Sequence, residues 1–271
     1  MLLGRAPHLA RPLHQLPTLP RTSPSFGRMN STSAIPTYLL HAPFLSIHRP
    51  HLPDYPSQLL QRTLPPSPLY YIHPAPSNPP GTAPPALNLL DVPPVQGQNS
   101  TVYRAQSPSG ANVVLKWSMD FLALMREAEE VYVNLPAGTG LPIPIFWGIF
   151  EGKVEKDQPK ALCMVLEDCG QPLQGGFEAL TREERQKLYN SLEAFHSIHF
   201  QHGAFSPSSI VTRTSSSAAP ASSETSAPSR KVTLTGFSKA EWHLCPGPDS
   251  CKELVEAKKA LGLDGEATQA S

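Results

Sequence analysis

The sequence predicts an α+β fold: an antiparallel sheet with one helix, then a mainly helical part, all behind a disordered proline-rich tail. Three observations lead there. Prolines crowd the N-terminal third, short β-branched runs divided by turn residues occupy the middle, and two later segments carry apolar residues at helical spacing. About two-thirds of the 32 prolines lie before residue 96. Proline deletes a backbone donor and biases its predecessor away from helix, so residues 1–86 are expected to be disordered. That leaves 185 residues (271 − 86), enough for one sizeable core.

Composition excludes several classes of function. Lys+Arg 22 balance Asp+Glu 22, so there is no basic excess to neutralise a nucleic acid backbone. No run of 18 apolar residues could span a bilayer, and no membrane partner is expected. The four cysteines (Cys163, Cys169, Cys245, Cys251) have no C-x-x-C spacing and read as reduced thiols of a cytoplasmic or nuclear protein. The first 53 residues hold five arginines and no acid, a bias like that of a mitochondrial transit peptide. Prolines 7, 12, 17 and 20 oppose the amphipathic helix such a peptide needs, which makes transit the lesser reading.

The ordered part begins near Leu87. Residues 88–92, 100–105 and 111–117 are β-rich runs separated by Pro93-Pro94, Gly97 and Ser107-Pro108-Ser109-Gly110, the pattern of an antiparallel meander. Over 120–135, Leu124, Ala128, Val131 and Leu135 share one helix face. Residues 141–150 and 161–168 read as two further strands. Thr181-Arg182-Glu183-Glu184 is a capping box opening a helix whose face carries Leu188, Leu192, Phe195 and His199. Short strands follow at 210–212 and 231–235, divided by a Ser/Ala/Pro tract, and a closing helix at 252–261. Cys245 and Cys251 stand six apart with no further ligand at a metal-motif spacing. His196 and His199 lack a carboxylate at metalloprotease spacing. No metal site is expected, and the two cysteines read as core residues beside a helix.

Taken in order, these segments resemble the parts of a protein kinase. Gly97-x-x-Ser100-x-Val102 resembles the glycine-rich loop, with Val95 and Ser100 at its outer glycine positions. Val113-Val114-Leu115-Lys116 resembles the strand carrying the phosphate-binding lysine, and Glu127 the helix glutamate that pairs with it. By the same resemblance Leu166 is the gatekeeper, and Glu167 to Cys169 form the hinge that meets the adenine edge. His202 to Val211 resembles the catalytic loop, and Gly236-Phe237-Ser238 the Asp-Phe-Gly motif. The resemblance covers about 87–240. It implies a tail (1–86), an N-terminal lobe with hinge (87–170), and a truncated, mainly helical C-terminal lobe (171–271) with a disordered loop at 213–230. Small fungal kinase-like proteins stop early in the same way.

The implied nucleotide-binding set is Gly97, Val102, Lys116, Glu127, Leu166, Glu167 and Cys169. The implied catalytic positions are degenerate: Ala204 replaces the proton-accepting Asp, Ser209 the metal-binding Asn and Gly236 the metal-binding Asp. General-base positioning contributes about 10² to 10⁴ in rate. Losing the metal ligands removes the charge neutralisation on which phosphoryl transfer depends. The resemblance thus implies a pseudokinase, a binding or scaffolding module with a protein partner. ATP is the one cofactor it could hold, and Mg²⁺ is not expected. Two readings stay open beside it. One is an atypical phosphotransferase using Lys116, Glu127 and either Glu167 or Asp168; the other is a decayed or truncated paralogue without stable function.

Overall fold

Apolar side chains from seven strands gather in the interior of a closed β-barrel. The computed structural model describes residues 44–49, 58–64, 86–97, 99–107, 110–133, 141–153, 159–214 and 230–264. In chain order the barrel region comprises β1 (Phe44–His48), β2 (Gln58–Leu64), β3 (Ala86–Leu89), β4 (Val95–Gln96), β5 (Ser100–Gln106) and β6 (Asn112–Ser118). Helix α1 (Phe121–Glu127) follows, then β7 (Phe146–Lys153) and β8 (Lys160–Glu167). The strand order β3-β1-β2-β7-β8-β6-β5 closes through pairing of β3 with β5, and β4 adds a short hairpin arm to β5. Only β1 and β3 run parallel; the other pairings are antiparallel.

Each of the seven strands contributes to one buried apolar cluster. Leu45 and Ile47 come from β1, Leu60 from β2, Leu87 and Leu89 from β3. Ala105, the Val113-Leu115-Trp117 row, Trp147, Phe150 and the Ala161-Cys163-Val165 row complete it. Only the barrel interior can unite all seven strands, so these alternate residues point inward. Along β7 the parity breaks: Trp147 and Phe150 join the interior, whereas Phe146 and Ile149 join the other core. The register shift between Phe146 and Gly148 supplies the extra residue. Gly148, at φ 124°, takes a backbone conformation that a side chain would strain.

The second core lies on the outer face of β6–β8. Leu162, Met164 and Leu166 pack there with Leu124, Ala128, Val131 and Tyr132 of α1 and its π-helical extension Ala128–Val133. Helix α2 (Arg182–Ser197) adds Leu188, Leu192 and Phe195 to the same core, and α3 (Lys252–Ala260) adds Leu254 and Ala257. The capping box of α2 forms as read: Thr181 accepts from the Glu184 amide and Glu184 accepts from the Thr181 amide. Around these helices, β11 (Ile210–Thr214) pairs with β9 (Gln171–Pro172) and β12 (Arg230–Leu234), and β10 (Phe200–Gln201) pairs with β13 (Glu241–Trp242).

The structure departs from three expectations. The fold is not a two-lobed kinase-like α+β arrangement with a helical C-terminal lobe. It is mostly β, a closed seven-stranded barrel with three short α-helices among the described residues. Among the described residues, five of thirteen strands lie after residue 170, where a mainly helical lobe was expected. The physical reason is that two- to five-residue strands need no long hydrophobic period; β10 and β13 are held by pairing and by Phe200, which is buried in the core against Trp242. Residues 44–48 and 58–64, read as part of a disordered tail, are barrel strands β1 and β2. Prolines stand next to them in the sequence, at positions 43 and 65, and a proline beside a strand does not forbid it. Ala86 opens β3, and apart from Arg49 the rest of the 1–86 tail lies outside the described residues, as does 215–229 of the expected 213–230 loop. Arg213, Thr214 and Arg230 belong to the β11–β12 ladder, which pairs through Thr214 and Arg230. Among the described residues, no helix is long and apolar enough to cross a membrane.

Candidate functional site

The outward faces of β5, β6 and β8 form one wall of a cleft of about 810 Å³, and the segment 204–209 with the turn 235–239 lines it as well. All ten residues singled out from sequence line this one cleft: Gly97, Val102, Lys116, Glu127, Leu166, Glu167 and Cys169, with Ala204, Ser209 and Gly236. Strand alternation explains the wall. Ser100, Val102 and Arg104 share the outer face of β5, and Val114, Lys116 and Ser118 that of β6.

At the centre of that wall the Lys116 ammonium meets both oxygens of Glu127, at 2.9 Å and 2.6 Å. Their side chains are 12% and 3% exposed, so the pair is largely desolvated. Asp120 positions the glutamate by accepting from the Ala123 amide at the start of α1. One helical run then brings Glu127 onto the sheet face. Desolvation, with the Glu127 carboxylate nearby, holds the Tyr132 phenol well above its ordinary range, so it stays protonated.

The hairpin between β4 and β5 is closed on itself and tied to β6 at two described residues. Gly97 donates its amide to the Ser100 carbonyl at 2.7 Å, and Ser118 Oγ donates to the Asn99 carbonyl at 2.7 Å. On the next strand, the Glu167 carboxylate accepts from the Ile145 amide at 3.4 Å. Asp168 turns to the Gly170 amide, at 2.9 Å, and to Arg104, whose guanidinium also donates to the Gly170 carbonyl. Burial, followed by the Glu167 charge, pushes the Cys169 thiol up to about 12, so it is no nucleophile at neutral pH.

The segment at 202–209 is held by its own polar side chains. His202 is fully buried. Its Nε2 donates to the Thr235 carbonyl at 2.8 Å and its Nδ1 accepts from the Ala204 amide at 3.3 Å, which fixes one neutral tautomer. Desolvation keeps its pKa below the ordinary histidine value. Gly203 sits at φ 72°, where an added Cβ would overlap the Lys239 carbonyl. Ser209 Oγ donates to the Ser206 carbonyl at 2.7 Å and accepts from the Ser206 amide, so it serves the turn. Ala204 carries only a methyl group, and Gly236 (φ 77°, ψ 43°) lies beside the Ser209 Cβ.

The acids lining the cleft are Glu127 and Glu167, and the cations are Arg104, Lys116 and Lys239. The arrangement can therefore hold an anion beside an apolar slot of Val102, Leu166 and Val211. Among the described lining residues both carboxylates are engaged, Glu127 by Lys116 and Glu167 by the Ile145 amide, and position 204 itself carries only a methyl group where a proton acceptor would stand. Arg104 and Lys239 were missed in the sequence. Arg104 was findable, since it stands two residues from Val102 on the same face; Lys239 gave no local signal. No protein-family model matches the chain, and no curated protein is significantly similar to it.

Proposed function

We propose that the chain is a binding module whose cleft takes an anionic, ring-bearing ligand of the nucleotide class, without transferring phosphate. One observation carries this reading: the desolvated Lys116–Glu127 pair opens onto a cleft that gathers every implied nucleotide-binding residue. A lysine pinned by a buried carboxylate is pre-positioned, so a ligand phosphate meets a fixed charge without ordering a flexible side chain. Val102 and Leu166 offer apolar surface for a ring.

The residues present argue against turnover. Ala204 cannot take a proton, Ser209 is spent on Ser206, and Gly236 has no side chain. A metal would find only Glu127, already bound to Lys116, and Glu167. The module therefore acts through occupancy: ligand binding between the barrel wall and the 204–209 segment tunes a surface that a protein partner reads.

Titration of the full chain with a fluorescent ATP analogue tests the reading. Saturable binding is expected, equal with and without added Mg²⁺, and lost in Lys116→Ala. Metal-dependent phosphate transfer by the wild-type chain, or undiminished binding by Lys116→Ala, would overturn it.

A further inference from the structure

Away from the cleft, four metal-binding side chains from three parts of the chain converge on one point. His196 lies in the last turn of α2, His243 and Cys245 follow β13, and Cys251 caps the start of α3. One ligand atom from each lies within 4.8 Å of the other three. His243 Nε2 is 2.8 Å from His196 Nδ1, and Cys251 Sγ is 3.5 Å and 4.0 Å from those two nitrogens. We propose that these residues form a structural zinc site, with His196 Nδ1, His243 Nε2, Cys245 Sγ and Cys251 Sγ as its four ligands.

The geometry fits the ion. Tetrahedral zinc, with Zn–N near 2.05 Å and Zn–S near 2.3 Å, separates its donors by roughly 3.3 Å (N···N), 3.5 Å (S···N) and 3.8 Å (S···S). The three separations among His196, His243 and Cys251 sit within about 0.5 Å of these edges, and Cys245 Sγ lies within 4.8 Å of each of the three. A histidine–histidine hydrogen bond alone would explain one nitrogen contact, but not why two thiols approach the same point. Two thiolates with two imidazoles at tetrahedral spacing select zinc over harder or square-planar ions.

A second observation sits behind the ligands. Glu253 Oε2 is 2.7 Å from His196 Nε2, the far side of that ring from the cluster. A carboxylate there fixes the Nε2–H tautomer, turns the Nδ1 lone pair toward the metal and raises its basicity, the usual partner arrangement of a zinc-bound histidine. The backbone is set for the same purpose. His243 donates its amide to the His199 carbonyl at 2.9 Å, and the 245–251 loop is closed by the Cys251 amide on the Gly247 carbonyl at 2.8 Å. Gly247, at φ 105°, makes that turn.

The site also reaches the 202–209 segment. Glu253 accepts from the amides of His202, at 3.0 Å, and Gly203, at 2.7 Å. Zinc would thus pin α2, β13 and α3 together and, through Glu253, brace the segment that carries Ala204 and Ser209. The site does not depend on the cleft's ligand.

The test is the metal content of the full chain purified from zinc-supplemented cells, with a mercurial titration on the wild-type protein. One zinc per chain is expected, released as the thiols are modified and absent from the Cys245→Ser/Cys251→Ser variant. Cobalt substituted into the wild-type chain should give the intense visible bands of a tetrahedral site with thiolate charge transfer. Glu253→Gln should keep the stoichiometry and bind zinc about 10- to 100-fold more weakly. A wild-type chain that holds no zinc at equimolar metal, cobalt spectra of an octahedral site, or full zinc retention by the double serine variant would overturn the proposal. These cobalt and release measurements need no folded variant.

Discussion

Lys116 and Glu127 illustrate how burial sets the worth of a single contact. Removing one member of a desolvated pair strands the other's charge, at a cost of about 3–5 kcal/mol, whereas replacing both with apolar residues is often neutral. Lys116→Ala should therefore destabilise the chain by that amount in urea unfolding. The Lys116→Met/Glu127→Leu double variant should recover most of the stability and none of the nucleotide binding. A double variant that binds would separate the pair from the ligand site. His202 makes a second prediction. Desolvation lowers its pKa in the fold, with Glu253 and Glu127 opposing the shift, so the unfolded chain takes up a proton first. Its stability contribution is complete above about pH 6.5 and declines as pH falls below that value, by up to 1.4 kcal/mol per pH unit. Unfolding at pH 7.5 and 5.5 should show this slope, and His202→Gln should flatten it.

At the scale of elements, α2 and β12 are joined through a cap. Arg230 donates to both oxygens of Glu184, at 2.9 Å and 2.6 Å, and to the Ala179 carbonyl at 2.7 Å, while Glu184 closes the Thr181 capping box. The Arg230 hydrogen bond holds the Glu184 carboxyl below its usual range. A depressed carboxylate stabilises the fold above the ordinary glutamate pKa, and that stability is lost as pH falls through the folded-state value. Arg230→Ala should cost about 1–3 kcal/mol at neutral pH, and the deficit should shrink on acidification. This is also the scale at which the sequence was most legible. The helix from Thr181 was readable because its cap and its apolar face agree. So were β5, β6 and β8, through β-branched runs bounded by turns. The π-helical run after Glu127 was not, because Ala128 and Val131 fit an α-helical stripe equally well. β9, β10 and β13 were not, because two-residue strands carry no period.

For the whole molecule, closure of the barrel is what the sequence concealed. Phe44–His48 and Gln58–Leu64 are short, flanked by prolines and far in sequence from their partners β3 and β7, so local pattern reads them as tail. Their burial is nonetheless complete at Leu45 and Leu60, inside the barrel. The cleft residues were named through the resemblance to a protein kinase; strand alternation explains why Val102 and Lys116 share a face, whereas Ala204, Ser209 and Gly236 reach the cleft from segments about 90 to 130 residues further on, which no local pattern shows. The zinc ligands were invisible, since folding brings His196 to cysteines about 50 residues away. A chain beginning at residue 86 should lack two of seven barrel strands and the closure between β3 and β7. Its far-ultraviolet melt should be broad, where the full chain unfolds cooperatively. An equally sharp transition would make β1 and β2 dispensable.

The claim at the centre of this account is that the cleft holds a nucleotide by a fixed lysine and not through a metal. Its most direct test is the melting temperature of the full chain with and without ATP, each in the presence and absence of added Mg²⁺. At 100 times its dissociation constant a ligand stabilises by about 2.7 kcal/mol, which is a rise of several degrees for a chain of this size. That rise is expected, the same in both conditions and absent in Lys116→Met/Glu127→Leu. A rise only with Mg²⁺, or none at any ATP concentration, would contradict it.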